Sequence, residues 1–318
     1  MHLAATKVLC CPECFRPFAD IPSPLDPIEI GTLRCSNGHE FPVSGGIPML
    51  VRESDRHDVA TFADSYAEIW GKDGWGSPNP AYLMSLPYRD LTGRRVTEWA
   101  VKARSMEALL RVLNPGTWRR VVDVGAGIGW LSHQLAVRGY EAYAVDAVLD
   151  RLVGLEAAET YTRKGPGFER VWGDLQRLPF LSTSVDSVVY NASLHYASDL
   201  VEALKEAARV LKPGGLLAVL NSPVHRRIAS AARGQSDFRE HLLGLGAANS
   251  VLSTYHHFVR FELESSIAAT VGPVTEIPFN PGRRFRLSRR LKGLALRMEL
   301  ASFPILTARK SKNSKSPS

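Results

Sequence analysis

The stretch of residues 119–147 constrains the fold of this chain more than any other. Its sequence, RRVVDVGAGIGWLSHQLAVRGYEAYAVDA, begins with a short apolar run, continues through closely spaced glycines, and carries apolar residues at helical spacing before a second apolar run. This order predicts a strand, a glycine turn, a helix and a second strand. Free N–H groups and the positive end of the helix dipole would then lie at the carboxyl end of the first strand, where a ligand can bind.

The spacing of the glycines indicates which kind of ligand. Gly125, Gly127 and Gly129 follow the pattern G-x-G-x-G, and Trp130 stands where a dinucleotide-binding loop carries its third glycine. A bulky indole there is incompatible with the close helix–strand packing that this glycine allows. Asp123 lies two residues before the loop, so a fixed negative charge favours a ligand with an ammonium or sulfonium group over a pyrophosphate.

Polar residues also end the neighbouring apolar runs. Asp146 closes the second predicted strand, where it is placed to accept hydrogen bonds from a ribose diol. Asp174 follows a third run and Asn191 ends a fourth. The carboxyl ends of parallel strands meet at one edge of a sheet, so we expect these side chains to lie around one ligand together with Gly125. Asp174 has an alternative role as a turn or helix cap.

Four segments in this order resemble motifs of the class I S-adenosylmethionine (SAM)-dependent methyltransferases. They are the glycine loop with its acids, 172–174 followed by LPF at 178–180, the fourth run at 185–190, and 210–217 with its LKPGG turn. Their order and spacing over residues 119–223 are far more specific than any one motif. The resemblance implies an α/β fold with a Rossmann-like sheet, helices on both faces, and SAM as the cofactor.

The resemblance also implies which residues bind SAM. Asp123 and the loop would bind the amino acid end, Asp146 the ribose and Asp174 the adenine amino group. The complete set of predicted cofactor-binding residues is Asp123, Gly125, Ala126, Gly127, Gly129, Asp146, Asp174, Leu175 and Asn191.

The segment 191–196, NASLHY, follows the fourth strand, where the family places groups that face the transferred methyl. It departs from the N/D-P-P-Y signature of base-amino methyltransferases, so adenine-N6 or cytosine-N4 chemistry is not supported. A general base is needed only if the acceptor is a hydroxyl or a protonated amine. We predict His195 and Asn191 as catalytic residues, with His195 as the base. The alternative is that His195 only forms a hydrogen bond to the protein or to the cofactor and is not a base.

The rest of the core alternates between apolar runs typical of strands and apolar residues at helical spacing. Apolar runs predict strands at about 120–124, 141–146, 168–172, 185–191 and 215–221, with helices near 129–138, 149–163 and 199–210. This alternation indicates βαβ units, a parallel sheet and right-handed crossovers. Residues 274–279 and 303–308 predict two further strands, which the family resemblance implies are an antiparallel pair.

All four cysteines of the chain lie within its first 35 residues. Cys11 and Cys14 form a C-x-x-C knuckle, and Cys35 and His39 follow at C-x-x-x-H spacing. Two thiolates on one tight turn and a thiolate with an imidazole on another can complete a tetrahedral zinc shell. We predict these four residues as ligands of a structural zinc. Cys10 is not part of this ligand set. It can take the place of Cys11 only if the C-x-x-C spacing of the knuckle is altered.

The N-terminal unit around these ligands, residues 8–51, is similar to the zinc ribbon of the 23S rRNA guanine-N1 methyltransferases. It also resembles the free-standing Trm112-type ribbons that partner methyltransferases. Four protein ligands leave the metal no open coordination position, so the implied role of the metal is to stabilise the fold rather than to take part in catalysis. Recognition of a partner is an additional role for the ribbon.

Residues between the ribbon and the core are predicted to form helices, at 58–70 and 96–113. In the family such helices often cover the substrate site. The aromatic residues of this region therefore either line that site or belong to the core, and they are Tyr66, Trp70, Trp75 and Tyr88.

The chain divides accordingly into four parts. We predict a zinc-ribbon-like domain at 1–52, a helical cap at 53–115, and a SAM-dependent methyltransferase domain at 116–309. The last of these contains a helical insertion at 224–270, expected over the mouth of the active site. Residues 310–318 are polar and rich in lysine and serine, which predicts a disordered tail.

The net charge of +7 is concentrated at one end of the chain. Residues 283–318 carry eleven basic residues and one acid, which leaves a small negative charge on the remainder. Leu287, Leu291, Leu294 and Met298 recur at helical spacing among arginines, predicting a basic amphipathic helix. We expect this helix to pack by its leucines; contact with RNA, a membrane surface or another anionic partner is the alternative.

Three functions are compatible with the sequence. The first, which we predict, is a SAM-dependent methyltransferase that acts on a small molecule, because helices enclose the site. The second is an rRNA or tRNA methyltransferase that uses the ribbon and the basic helix. The third is a non-catalytic SAM-binding partner module. The N-terminus lacks a basic region followed by a long apolar one and no apolar run is long enough to span a membrane, so we expect a cytoplasmic protein.

Overall fold

The computed structural model of the chain describes residues 1–20, 26–113 and 119–312. Its strands are β1 Phe18–Asp20, β2 Ile30–Cys35, β3 Glu40–Ser44, β4 Ile47–Leu50, β5 Arg120–Val124, β6 Glu141–Asp146, β7 Glu169–Gly173, β8 Val185–Asn191, β9 Leu211–Leu220, β10 Val224–His225, β11 Phe258–Val259, β12 Val274–Glu276 and β13 Leu306–Arg309. Its α-helices are α1 Arg56–Lys72, α2 Pro80–Ser85, α3 Val96–Leu110, α4 Trp130–Val137, α5 Glu159–Lys164, α6 Leu200–Val210, α7 Ile228–Gly244, α8 Asn249–Leu252, α9 Arg260–Thr270 and α10 Arg283–Leu296.

Eleven of these strands form one mixed sheet, in the order β1-β2-β3-β4-β7-β6-β5-β8-β9-β13-β12. The strands β5 to β9 are parallel, and β12 and β13 form an antiparallel pair, as expected; β13 also pairs antiparallel with β9. From β5 the chain runs outward to β6 and β7, and then returns past β5 to β8 and β9. The strand order therefore reverses at β5, and ligands bind at the carboxyl ends of strands at such a point.

Helices cover both faces of this sheet, which confirms the predicted Rossmann-like fold. Successive strand residues point to opposite faces. Val122 therefore lies in the same apolar cluster as residues of α6 and α9, whereas Val121 lies in the cluster of α3, α4 and α5. Burying each such side chain contributes about 1.5–3 kcal/mol. The two layers thus fix the strand ends from which the site is built.

The N-terminal strands belong to the same sheet, because β4 pairs in parallel with β7. Two further contacts attach this unit to the loop after β7. The Cys10 N–H donates to the carbonyl oxygen of Pro179 at 2.9 Å, and Arg177 Nε donates to the carbonyl oxygen of Pro12 at 2.8 Å. The unit therefore lies beside the strand that leads to Asp174.

One predicted helix is mostly wrong. The pattern at 149–163 predicts four turns, whereas α5 covers only Glu159–Lys164. Asp150 Oδ1 accepts hydrogen bonds from the N–H groups of Leu152 and Val153 at 2.7 and 2.9 Å. A carboxylate that binds nearby backbone donors in this way competes with helix formation. The chain then turns closely at Gly154, where a Cβ would lie only 2.4 Å from the carbonyl oxygen of Val148.

The C-terminal region differs from expectation in two places. The segment 224–270 contains α7, α8 and α9, but also β10 and β11, which pair in parallel as a separate sheet. Lys310, the first residue of the predicted tail, is buried, and its Nζ donates to the carbonyl oxygen of Leu211 at 2.8 Å. Residues 313–318 of that tail lie outside the described residues.

The basic amphipathic helix is present as α10, but the prediction that it packs by its leucines is wrong. Phe285 and Arg289 contact the ring of Phe303, while Leu287 and Leu291 are exposed. Among the described residues, no helix combines the length and the apolar character needed to cross a membrane.

Candidate active site

The loop after β5 is shaped by its glycines. Gly125, Gly127 and Gly129 have φ angles of +69°, +52° and +72°, a region that favours glycine. At Gly125 there is also no room for a side chain, because a Cβ would lie 2.3 Å from the Cβ of Ser193. The three glycines therefore allow the left-handed backbone of the loop and its close packing against Ser193.

A cavity of about 500 Å³, which we call the polar cavity, lies at the carboxyl ends of β5 to β8. Four of the predicted cofactor-binding residues line it: Gly125, Asp146, Asp174 and Leu175. Residues of the helical cap and the insertion also line it, including Asp58, Phe62, Tyr66, Ser250 and Thr254, as does Arg52 at the end of the N-terminal unit. Its volume lies in the range of small-molecule and cofactor sites.

Asp146 supports the glycine loop from the end of β6. Its Oδ2 accepts a hydrogen bond from the Gly127 N–H at 2.6 Å, and its Oδ1 accepts one from the Val148 N–H at 2.8 Å. Burial raises the pKa of Asp146 to about 6, although these backbone donors oppose the shift. The side chain is thus oriented by the loop at the wall of the polar cavity.

Asp123 is buried beneath the loop. It lines neither the polar cavity nor the second cavity that adjoins it. Its Oδ2 accepts a hydrogen bond from Ser132 Oγ at 2.9 Å, while its Oδ1 has no hydrogen-bond partner in the described part of the chain. Burial raises the pKa of Asp123 to about 7, and attraction to Lys102 offsets part of this shift. A buried acceptor without a donor is costly, so a bound cationic group would relieve it.

Asp174 caps a turn and also lies at the wall of the polar cavity. Its Oδ1 accepts a hydrogen bond from the Gln176 N–H at 2.9 Å, which caps the turn after β7, and the residue also lines the polar cavity. Burial raises the pKa of Asp174.

Of the three loop glycines, Gly129 lines neither the polar cavity nor the second cavity that adjoins it. It is the N-cap residue of α4, and a Cβ there would lie 2.9 Å from the ring of Phe168.

A second cavity of about 440 Å³ adjoins the first. The two share Tyr66, Gly125, Ala192 and Tyr196. We call it the aromatic cavity, because ten aromatic side chains line it: Tyr66, Trp70, Trp75, Trp99, Trp130, Tyr196, Phe238, Tyr255, Phe285 and Phe303. Of the predicted site residues, Ala126, Gly127, Asn191 and His195 also line it.

The aromatic residues of the cap thus mostly line a cavity. Tyr66, Trp70 and Trp75 line the aromatic cavity, whereas Tyr88 is largely exposed and accepts a hydrogen bond from Arg138. Sequence periodicity did not distinguish the aromatic residues that line the cavity from the exposed Tyr88, because all of them occur in the same helical region.

His195 and Asn191 are both held by neighbours at one wall of the aromatic cavity. His195 Nδ1 lies 3.1 Å from Ser222 Oγ, and Asn191 Oδ1 accepts a hydrogen bond from Asn221 Nδ2 at 2.7 Å. Burial, with a smaller contribution from His257, lowers the pKa of His195 to about 3. The imidazole is therefore neutral near pH 7 and can accept a hydrogen bond, but it is a weak base.

Lys102 is a residue of the aromatic cavity that the sequence analysis missed. Its Nζ lies 5.5 and 5.8 Å from the ring centroids of Trp75 and Trp99, and it forms no salt bridge within the described residues. Burial lowers its pKa to about 8, while Asp123 raises it. A signal was present, since residue 102 falls on the apolar stripe that joins Trp99 to Met106 along α3.

The other cationic side chain of the aromatic cavity, Arg95, is paired with two acids. Arg95 Nη2 lies 2.6 Å from Asp73 Oδ2, and Arg95 Nη1 lies 3.8 Å from Glu98 Oε1. The guanidinium also lies over the ring of Trp75, 5.0 Å from its centroid. Lys102 therefore supplies the cation that remains available to a ligand.

The predicted zinc ligands come together at the ribbon. The ligand atoms of Cys11, Cys14, Cys35 and His39 all lie within 4.8 Å of one another. Cys14 Sγ lies 3.8 Å from Cys35 Sγ, and His39 Nδ1 lies 3.4 Å from both Cys11 Sγ and Cys35 Sγ. In a tetrahedral site with Zn–S bonds of about 2.3 Å, sulfur atoms are about 3.8 Å apart, so these distances fit zinc. Cys10 is buried outside the group.

Comparison with known proteins agrees with this fold. Residues 122–219 match a family model described as a methyltransferase domain. The chain is 37% identical to an uncharacterized methyltransferase of Mycobacterium tuberculosis over 108 residues, 34% of this chain and 42% of that protein. It is 35% identical to a malonyl-[acyl-carrier protein] O-methyltransferase of Erwinia pyrifoliae over 112 residues, 34% of this chain and 39% of that protein. The chain thus spans about two fifths of the length of these relatives.

Among solved structures, phosphoethanolamine N-methyltransferase 2 of Haemonchus contortus, in complex with S-adenosyl-L-methionine, aligns with a TM-score of 0.50. The identity is 18%, and the alignment covers 75% of this chain and 61% of that one. A likeness at this identity shows the fold alone. The two comparisons agree: residues 122–219 match the methyltransferase-domain model, and the chain shares the Rossmann-like α/β fold of the aligned structure.

Proposed function

We propose that this chain transfers a methyl group from SAM to a small-molecule acceptor bound in the aromatic cavity. One observation carries the proposal: the polar and aromatic cavities are adjacent, because Gly125, Ala192, Tyr66 and Tyr196 line both of them. When bound, SAM supplies an electrophilic methyl group on a sulfonium. The task of the protein is then to orient the acceptor and to exclude water.

The polar cavity has the groups that SAM requires. The buried carboxylate of Asp146, at the wall of the cavity, suits hydroxyl donors. Asp123 lies beneath the glycine loop and outside the cavity wall, and its unpaired Oδ1 suits an ammonium group that reaches the loop. A Cβ at Gly125 would clash with Ser193, so a glycine at this position lets the loop pack closely against the segment after β8. Asp174 and Leu175 would contact the adenine at the far end of the cavity.

The aromatic cavity favours an apolar or aromatic acceptor that carries an acidic group. Its rings provide flat apolar walls, and the ammonium of Lys102 would bind the carboxylate or phenolate of the acceptor. An anionic oxygen is a nucleophile without a general base, which agrees with the low pKa of His195. We therefore assign His195 and Asn191 to orienting the acceptor. One relative is named as an O-methyltransferase, and transfer to oxygen agrees with this assignment.

Calorimetry with SAM tests the cofactor site. Asp146→Ala should weaken SAM binding about 10-fold or more, because hydrogen bonds to a charged group are lost and the glycine loop loses its support. Asp64→Ala, at an exposed position of α1, is the matched control and should bind SAM normally. Absence of SAM binding by the unmodified protein, or unchanged affinity in Asp146→Ala, would contradict the proposed function.

The acceptor class is decided by screening metabolite extracts and rRNA or tRNA for a gain of one methyl group in mass. We expect a product among the small molecules. Methylation confined to RNA, and lost when Arg286 and Arg290 are neutralised, would instead support the second function considered from the sequence. SAM binding with no acceptor in either pool would support the non-catalytic module.

His195→Ala should lower kcat about 10-fold or more and leave the SAM dissociation constant unchanged, since His195 lines the aromatic and not the polar cavity. Because the pKa of His195 is about 3, the rate of the unmodified protein should show no ionisation of this histidine between about pH 5 and pH 8. His57→Ala, exposed on α1, is the control. A fully active His195→Ala would rule out the proposed orienting role.

We further propose that the N-terminal unit binds one structural zinc through Cys11, Cys14, Cys35 and His39. The donor set and its spacing support the proposal. Four protein ligands fill the tetrahedral shell, so the ion would stabilise the fold and take no part in methyl transfer.

A further inference from the structure

The helix α10 has two different faces. Phe285 and Arg289 pack against the body of the protein. Leu287, Leu291 and Leu294 are 59%, 58% and 68% exposed. A helix turns about 100° per residue, so these three leucines form one stripe on the side opposite to Phe285 and Arg289. We call them the leucine stripe.

Basic side chains border the leucine stripe on both sides. Arg283 and Arg290 lie along one edge and Arg284 along the other, and all three are exposed. Within the described residues, Arg286 and Arg290 form no salt bridge and no side-chain hydrogen bond, so their charges are available to an external anion. Residues 283–318 as a whole carry eleven basic residues and one acid.

A groove of about 1020 Å³ runs along α10 and extends this basic surface. Six arginines line it, namely Arg226, Arg227, Arg260, Arg286, Arg289 and Arg290, against two acids, Glu276 and Glu299. Two of the aromatic rings that line this groove, Phe285 and Phe303, also line the aromatic cavity. The basic surface and the acceptor cavity therefore lie next to each other.

We infer that α10 docks this protein on an anionic lipid bilayer. A nucleic acid would neutralise the arginines but would leave the leucine stripe in water. A bilayer interface accommodates both, because leucines enter the boundary between headgroups and acyl chains while arginines meet lipid phosphates. Docking in this orientation brings the wall shared by the groove and the aromatic cavity close to the lipid. The docking does not depend on the proposed methyl transfer.

Co-sedimentation with vesicles tests the docking without any measurement of activity. The full chain should sediment with vesicles of equimolar phosphatidylglycerol and phosphatidylcholine, and much less with vesicles of phosphatidylcholine alone. Leu291→Ser/Leu294→Ser should lower the partition coefficient on the anionic vesicles about 10-fold. Leu243→Ser, at another exposed leucine on α7, is the matched control and should bind as the unmodified protein does.

The charge contribution is tested in the same assay. Arg286→Gln/Arg290→Gln should weaken binding about 10-fold or more, whereas Arg233→Gln/Arg239→Gln removes the same charge from α7 and should have a small effect. Circular dichroism establishes that each variant is folded. No binding to anionic vesicles overturns the inference. Equal losses in test and control variants, or binding that tolerates the leucine substitutions, also overturn it and indicate a non-specific polycation.

Discussion

Cys14→Ser should lose the single equivalent of zinc that we expect in the purified protein, and should unfold at a temperature lower by on the order of 10 °C. The effect is large because the binding free energy of a structural zinc is also folding free energy, and a hydroxyl is a poor substitute for a thiolate ligand. Metal analysis and thermal unfolding measure the two outcomes.

Cys10→Ala provides the control for this substitution. Cys10 lies outside the group of four ligands, so the variant should keep its zinc. A stable and metal-free protein before any substitution would refute the zinc proposal. Equal loss of metal from Cys10→Ala and Cys14→Ser would refute the ligand assignment.

Asp123→Asn should separate cofactor binding from stability. We expect SAM affinity to fall on the order of 10–100-fold, because the amide cannot replace a charged acceptor for an ammonium group. Without SAM, the variant should be the more stable protein at neutral pH. The reason is that the unmodified protein must bury a carboxylate whose Oδ1 has no donor in the described structure.

The sign of the pH dependence follows from the raised pKa. Asp123 titrates at about 7 in the folded protein and near 3.8 when unfolded, so the unfolded state holds fewer protons between these values. The contribution of Asp123 to stability is therefore most favourable at low pH and is lost as the pH rises towards 7. Unfolding temperatures at about pH 5 and about pH 8 should show the advantage of Asp123→Asn growing with pH.

An exposed carboxylate serves as the control for both measurements. Asp64→Asn should change neither SAM affinity nor the pH dependence of unfolding. Asp123→Asn with unchanged SAM affinity would exclude Asp123 from the cofactor site, whatever its effect on stability.

The strands of the core were predictable because they are short runs rich in apolar residues and bounded by turn residues, as at β5 and β8. The helix at 149–163 was not, because its apolar spacing gave no sign that Asp150 would bind the backbone N–H groups of Leu152 and Val153. Local hydrogen bonds of this kind depend on conformation as well as composition.

The ends of the strands were also predictable, since a glycine loop and terminal acids define one edge of a parallel sheet. The aromatic cavity was less so, because it is assembled from residues as distant as Trp70, Lys102, His195 and Phe303. Periodicity predicts that a helix has an apolar face, but not which part of the protein packs against that face. For the same reason the helix α10 was predicted correctly, whereas the face by which it packs was predicted wrongly. The individual roles of the site residues stay predictions.

The pairing of β4 with β7 covers an edge of the parallel sheet that would otherwise be open. Without β4, the edge of the parallel sheet would be β7, with unpaired N–H and C=O groups beside Trp172 and Gly173. Such an exposed edge is a template for pairing with a second chain. The ribbon covers it with a short strand and continues into antiparallel strands outward. Its metal ligands would therefore also protect the sheet against aggregation, and zinc depletion would expose that edge.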